Sequence, residues 1–225
     1  MGWGVLALLL TVIPLGIGAA FTPSLFAIQL LIVGGDPWRL RALAALAGGA
    51  LAFGLALTLL LLGFARLPTA SGGHDPLGGA LRIGAAIVLG GIAVWFALPH
   101  GDLQAKVRTD IERRVHSASP VDFLGITFVL SIKDVSSFIL LVPAMHDIGV
   151  APVPWLAKVG ITVLVFALSL SGLLIPPLLR TALGNGGRSL LQRIYEGTMR
   201  NQFRIMAVVF AVLAVFLLVS GIRIW

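Results

Sequence analysis

Long uninterrupted apolar runs alternate with short polar or basic segments along this chain. Six windows approach the roughly 20 residues needed to cross a bilayer as a helix: 3–33, 42–64, 77–98, 123–145, 159–179 and 205–224. The pattern predicts an all-α integral membrane protein of six transmembrane helices. The first window is too long for one span. It holds no charge before Asp36, and as a single helix it would run about 50 Å against a hydrocarbon core of about 30 Å. A loop and a second span do not fit. A broken first helix does, with Pro14, Gly16, Gly18 and Pro23 as the candidate breakers.

Six spans divide three and three. The stretch from Thr22 and the stretch from Ile132 each begin at a polar or helix-disturbing triplet. Each then continues apolar, turns through Gly and Pro, and starts another span. An odd number of spans per half reverses orientation, so this reading is a 3+3 inverted repeat, an architecture common in secondary transporters. Residues 1–98 form the first half, 99–122 a basic loop and 123–225 the second half.

Composition agrees with membrane placement. Of 225 residues 58% are hydrophobic and 11% charged, with mean hydropathy +1.04; a soluble domain carries about 25% charged residues. The net charge of +7 would suggest nucleic acid in a soluble protein. Here it concentrates between spans, and no nucleic-acid partner is expected. The loops after spans one, three and five hold eleven of the sixteen Lys and Arg. The positive-inside rule therefore puts these loops in the cytoplasm and both termini outside. There are no cysteines, which removes disulfides and thiolate metal sites.

Other local patterns carry smaller expectations. Ala44, Gly48, Ala52 and Ala56 make a small-residue ladder suited to close helix packing. Residues 187–204 read either as an interfacial amphipathic helix or as a solvated loop. Ser169, Ser171, Pro176 and Pro177 are expected to back-bond or kink the fifth span. His74, His100, His116 and His146 read as ordinary residues in loops or at span ends.

The chemistry concentrates where ions meet the membrane interior. Lys133 and Asp134 stand side by side mid-span, where each costs about 2.5–3.5 kcal/mol on insertion scales. On a continuous helix Thr127, Ser131, Asp134 and Ser137 share one polar stripe, flanked by Lys133 and Ser136. One reading is a cavity lining in which Lys133 and Asp134 handle a charged head group or a proton. The other is a pair that only fixes packing. Both ions are expected to face the bundle interior. Thr22, Pro23 and Gln29 form the counterpart in the first span. Pro23 lacks an N–H, so it frees a carbonyl about four residues earlier, near Ala19. That carbonyl is open to an ion, a water or a substrate donor. The candidate substrate-binding set is thus Thr22, Pro23, Gln29, Ser131, Lys133, Asp134, Ser136 and Ser137.

No phosphate-binding loop and no His-Glu-x-x-His motif occurs, so neither ATP-driven transport nor metalloprotease chemistry is expected. Ser171-Gly172 has no His in a later span to activate it, which argues against a membrane serine protease. No enzyme activity, cofactor or metal is expected.

The segments "FTPSLFAIQLLI", "GGDPWRLRALAALAGGALAFG" and "FLGITFVLSIKDVSSFILL" resemble the lysine-exporter (LysE) superfamily. The basic middle and the closing "MRNQFRIMAVVFAVLAVFLLVSGI" look most like its glycopeptidolipid-addressing (GAP, or Sap-like) branch. The resemblance implies a bacterial plasma-membrane protein that exports or delivers cell-envelope glycolipids. Where that superfamily has Asn-Pro-Lys, this chain has Ser131-Ile132-Lys133, which carries over the lysine without the helix-breaking proline. Three functions stay open: a secondary exporter of an amphiphile, an exporter of amino acids or other small solutes, and a non-transporting accessory of a lipid-export complex. Membrane lipids and a polar or lipid-like substrate are the expected partners, with a second copy or an export complex as further possibilities.

Overall fold

The computed structural model describes residues 2–68, 75–98, 118–184 and 186–225. All regular structure among them is helical. The helices are α1 (Gly2–Ala19), α2 (Pro23–Gly34), α3 (Arg39–Phe64), α4 (Pro76–Ala97), α5 (Pro120–Ile132), α6 (Val135–Val150), α7 (Trp155–Ser169), α8 (Ser171–Leu183) and α9 (Gly186–Ile224). Three are apolar and long enough to cross a membrane: α3, α4 and the Phe203–Ile224 part of α9. Three further pairs, α1–α2, α5–α6 and α7–α8, each make a span bent by more than 60° at a short break, giving up to six spans. Most of the basic 99–122 loop, along with His74, His100 and His116, lies outside the described residues.

The broken first span is present, and the chemistry at Pro23 locates its break. α1 runs through Pro14 and stops at Ala19, and α2 begins at Pro23. The fourth span departs from the continuous stripe expected of it. Its helix stops at Ile132 and restarts at Val135 without any proline. Asp134 is the cause: as N-cap of α6 its carboxylate accepts from the Ser137 N–H, offering the backbone an alternative to the helix ladder. The fifth span also breaks earlier than its prolines suggest. Ser169 Oγ donates back to the Val165 carbonyl at 2.9 Å, the helix ends there, and Pro176 and Pro177 ride inside α8. The stretch 187–204 is neither loop nor separate helix, because it is continuous with the last span in the 39-residue α9.

Packing follows the small residues. Gly48 of α3 presses on α5, where an added Cβ would fall 2.3 Å from the Leu124 carbonyl oxygen. α4 and α9 lie along each other, α1 packs against α6 and α7, and α2 against α8 and α9. One apolar core, containing Leu15, Phe53, Leu89, Leu140, Met145, Val165, Phe210 and Leu217, joins most of the helices. A second surrounds α2, the start of α3 and Phe123.

Candidate functional site

Two of the breaks meet. Thr22 is N-cap of α2 and Asp134 is N-cap of α6, and the Thr22 hydroxyl donates to Asp134 Oδ2 at 2.5 Å. Helix N-termini carry partial positive charge, so each break offers a favourable place for an anion. Ser136 Oγ donates to Asp134 Oδ1 at 2.5 Å, and Ser137 Oγ lies in hydrogen-bond contact with Asp134 Oδ2. Ser137 Oγ also donates to the Ala19 carbonyl at 2.7 Å. Ala19 is the last residue of α1, so its carbonyl has no partner in the helix ladder. Ala19 is 1% exposed, so its carbonyl needs this donor. Thr22, Asp134, Ser136 and Ser137 therefore form one cluster across more than a hundred residues of sequence.

The other candidates are placed differently. Lys133 is exposed, whereas the expectation was that it would face the interior. The reason is the break: as C-cap of α5 it leaves the helix just where Asp134 turns inward to start α6. Ser131 and Thr127 are fully buried on α5, and neither hydroxyl has a partner among the described residues. Gln29, also fully buried, donates to the Ala42 carbonyl at 3.3 Å and ties α2 to α3. Pro23 contributes through its backbone.

Thr22 belongs to a second feature. A largely apolar cavity of about 300 Å³ lies between the α1–α2 break, the start of α8 and the middle of α9. Phe21, Phe26, Ile175, Ile205 and Met206 give it apolar walls, and Thr22 and Ser171 are polar points on it. Gly172 permits the close approach, since a Cβ there would fall 2.7 Å from the Ala20 carbonyl oxygen. Thr22 thus has one side on an apolar cavity and its hydroxyl on a carboxylate.

A separate ionic cluster, which sequence reasoning missed, lies about 20 Å from Asp134 along α6. Arg82 of α4 donates to Asp147 Oδ2 at 2.6 Å and to the Ser220 carbonyl at 3.3 Å. His146, 1% exposed, has Nδ1 at 3.6 Å from Asp75 and 3.9 Å from Asp147, and its ring stands edge-on to Phe64. Lys158 of α7 donates to the Gly149 carbonyl near the C-terminal end of α6, where a cation is favoured. His146 is thus no ordinary span-end residue. The available signal was its spacing, because Asp75, Arg82, His146-Asp147 and Lys158 all fall at one face of the bundle if the spans alternate.

The geometry provides a hydroxyl–carboxylate cluster at facing helix breaks, an adjoining apolar cavity and an ion-paired closure toward one face. No curated protein and no solved structure matches the chain. Residues 12–223 match the family described as Sap, sulfolipid-1-addressing protein. That match spans nearly the whole chain, which belongs to this family of membrane proteins associated with lipid addressing.

Proposed function

We propose that the chain is a secondary exporter of an amphiphile, with its binding site at the junction of the α1–α2 and α5–α6 breaks. The observation that carries this reading is Thr22, which belongs at once to the polar cluster around Asp134 and to the apolar cavity. A ligand spanning the two must have a polar head and an apolar body. A free amino acid would leave the cavity walls unmatched. At about 300 Å³ the cavity is at the lower end of ligand pockets, enough for part of an acyl chain with the remainder in lipid. The family description, which names a sulfolipid, supports a lipid substrate.

A 3+3 inverted repeat would support the transport part of the reading. Exchange α1–α2 with α5–α6, α3 with α7–α8, and α4 with α9. Several helix contacts then map onto one another: α3 on α5 becomes α7 on α1, α2 on α9 becomes α6 on α4, and α4 on α9 is unchanged, whereas the extensive α1–α6 contact maps onto a slight one between α2 and α5. Two halves so related can rock about a central site. The bias of basic residues between spans supports a cytoplasmic orientation for the cavity side of the bundle. Lys133, exposed at the break and paired with no described carboxylate, is available to an anionic head group.

The test uses full-length protein in phosphatidylcholine vesicles carrying a trace of fluorescent phosphatidylglycerol, with a membrane-impermeant quencher outside. Wild type should move the probe between leaflets faster than protein-free vesicles. Ile175→Trp, which fills the cavity, and Thr22→Val should each reduce the rate at least tenfold. Equal rates for wild type and both variants would sink the site. Probe binding without movement would favour the accessory reading.

A further inference from the structure

A second apolar feature lies on another face of α8. A groove of about 260 Å³ runs between the start of α3 and the second half of α8. The two helices are antiparallel here, because Gly49 of α3 meets Leu170 and Leu173 at the start of α8. Trp38 and Arg39 therefore share one end of the groove with Thr181, and Leu46 shares the other with Leu174. α8 divides the groove from the cavity at the first break. Ser171, Gly172 and Ile175 line the cavity, whereas Leu174, Pro177, Leu178 and Thr181 line the groove.

The walls decide what fills it. No polar atom opens onto the groove. A resident water needs roughly two to four polar partners, so hydrocarbon is the matching occupant. The helix rises about 12 Å from Trp38 to Leu46, and about 10 Å from Leu174 to Thr181. One leaflet of hydrocarbon is about 15 Å deep. The groove is thus matched to one acyl chain reaching inward from the interface.

The mouth decides what head group that chain carries. Trp38 is the N-cap of α3 and a residue suited to the membrane interface. The Arg39 guanidinium lies 5.7 Å from the Trp38 ring centroid. Its stem lines the groove while its charge stays at the mouth, as long basic side chains do at a membrane surface. Arg39 has no ion-pair partner among the described residues, and no carboxylate lines the groove. The neighbouring cations point elsewhere: Arg41 lies over the Phe123 ring, and Arg180 is buried and donates to the Gly184 carbonyl.

We infer that this groove binds one anionic phospholipid, with its phosphate on Arg39 and an acyl chain between α3 and α8. The chain fills the space that the two helices leave between them, and so braces the helix whose other face walls the cavity. This site is separate from the one proposed for the exported amphiphile and does not depend on the exporter reading.

The experiment is photolabelling of the full-length protein in phosphatidylcholine nanodiscs. One probe is a trace of phosphatidylglycerol with a diazirine in its acyl chain, and the other is phosphatidylcholine with the same diazirine. Wild type and Ile175→Trp should both give phosphatidylglycerol adducts on Leu43, Leu46, Leu174 and Leu178. These should exceed the phosphatidylcholine adducts about fivefold, the factor that one basic residue adds near a lipid surface. Arg39→Gln should bring the two probes level, and Leu178→Trp, which fills the groove, should abolish the adducts. Arg39 is exposed, so its variant decides the matter if Leu178→Trp does not fold. Equal labelling by both probes in wild type, a preference that survives Arg39→Gln, or adducts that survive Leu178→Trp would overturn the inference. So would a crosslink between two chains at Leu178 without lipid adducts, which would give the groove to a second copy. The two sites fail separately: groove adducts without cavity adducts remove the exporter's site alone, and cavity adducts without groove adducts remove this one.

Discussion

Breaking the Arg82–Asp147 pair should destabilise the bundle more than replacing both partners. The two side chains are 9% and 8% exposed and meet at 2.6 Å. Asp147→Ala leaves the Arg82 guanidinium buried, with the Ser220 carbonyl at 3.3 Å as its remaining described acceptor and Nε already unpartnered. An uncompensated buried charge of this kind costs about 3–5 kcal/mol, or roughly 10² to several thousandfold in the unfolding equilibrium. It also withdraws one of the two carboxylates near His146. Arg82→Met with Asp147→Leu keeps the volume and removes both charges, and an apolar replacement of that kind is often neutral or stabilising. The assay is reversible unfolding in mixed micelles for wild type, Asp147→Ala, Arg82→Met, Asp147→Leu and the Arg82→Met, Asp147→Leu double variant. The expected result is a double variant at least 2 kcal/mol more stable than Asp147→Ala, the coupling found between residues in direct contact. Additive effects of the two substitutions would refute the reasoning, since they would mean that each charge is solvated independently.

Ser137→Ala should cost about 1–3 kcal/mol in the same unfolding assay because it strips the donor from the buried Ala19 carbonyl. Gly48→Ala should cost about 1–3 kcal/mol, since its Cβ would meet the backbone of α5, while Gly90→Ala, with nothing within 4 Å, should be neutral or stabilising. In the cysteine-free chain, Pro68→Cys should react with an impermeant thiol reagent from outside the cell only, and Ala182→Cys only after permeabilisation. Labelling of both from one side would refute the orientation given by the basic loops.

What the sequence made legible, and what it hid, divides along physical lines. The break at the first span followed from length and from a proline, both local properties. That Thr22 and the Asp134 region belong together was legible from their matching place in the two halves. The break at Asp134 was hidden because an N-cap side chain ends a helix as firmly as a proline, and from sequence a mid-membrane Asp reads first as a charge. The outward turn of Lys133 depends on that break. His146 read as a span-end residue because span boundaries drawn from hydropathy shift by several residues. Its burial, with that of Arg82 and Lys158, comes from contacts between distant helices, which no single window contains. The cavity depends on Gly172 letting α8 approach the first break, a contact between distant segments.

The central claim is that a lipid-like molecule occupies the cavity with its head at the Asp134 cluster. The most direct measurement is photolabelling of the full-length protein in nanodiscs that contain phosphatidylglycerol with a diazirine in its acyl chain, followed by peptide mapping. The account predicts adducts on Phe21, Phe26, Ile175, Ile205 and Met206, lost in Ile175→Trp. Adducts confined to outward-facing residues such as Leu51, Leu59 and Val212, and unchanged by Ile175→Trp, would contradict it.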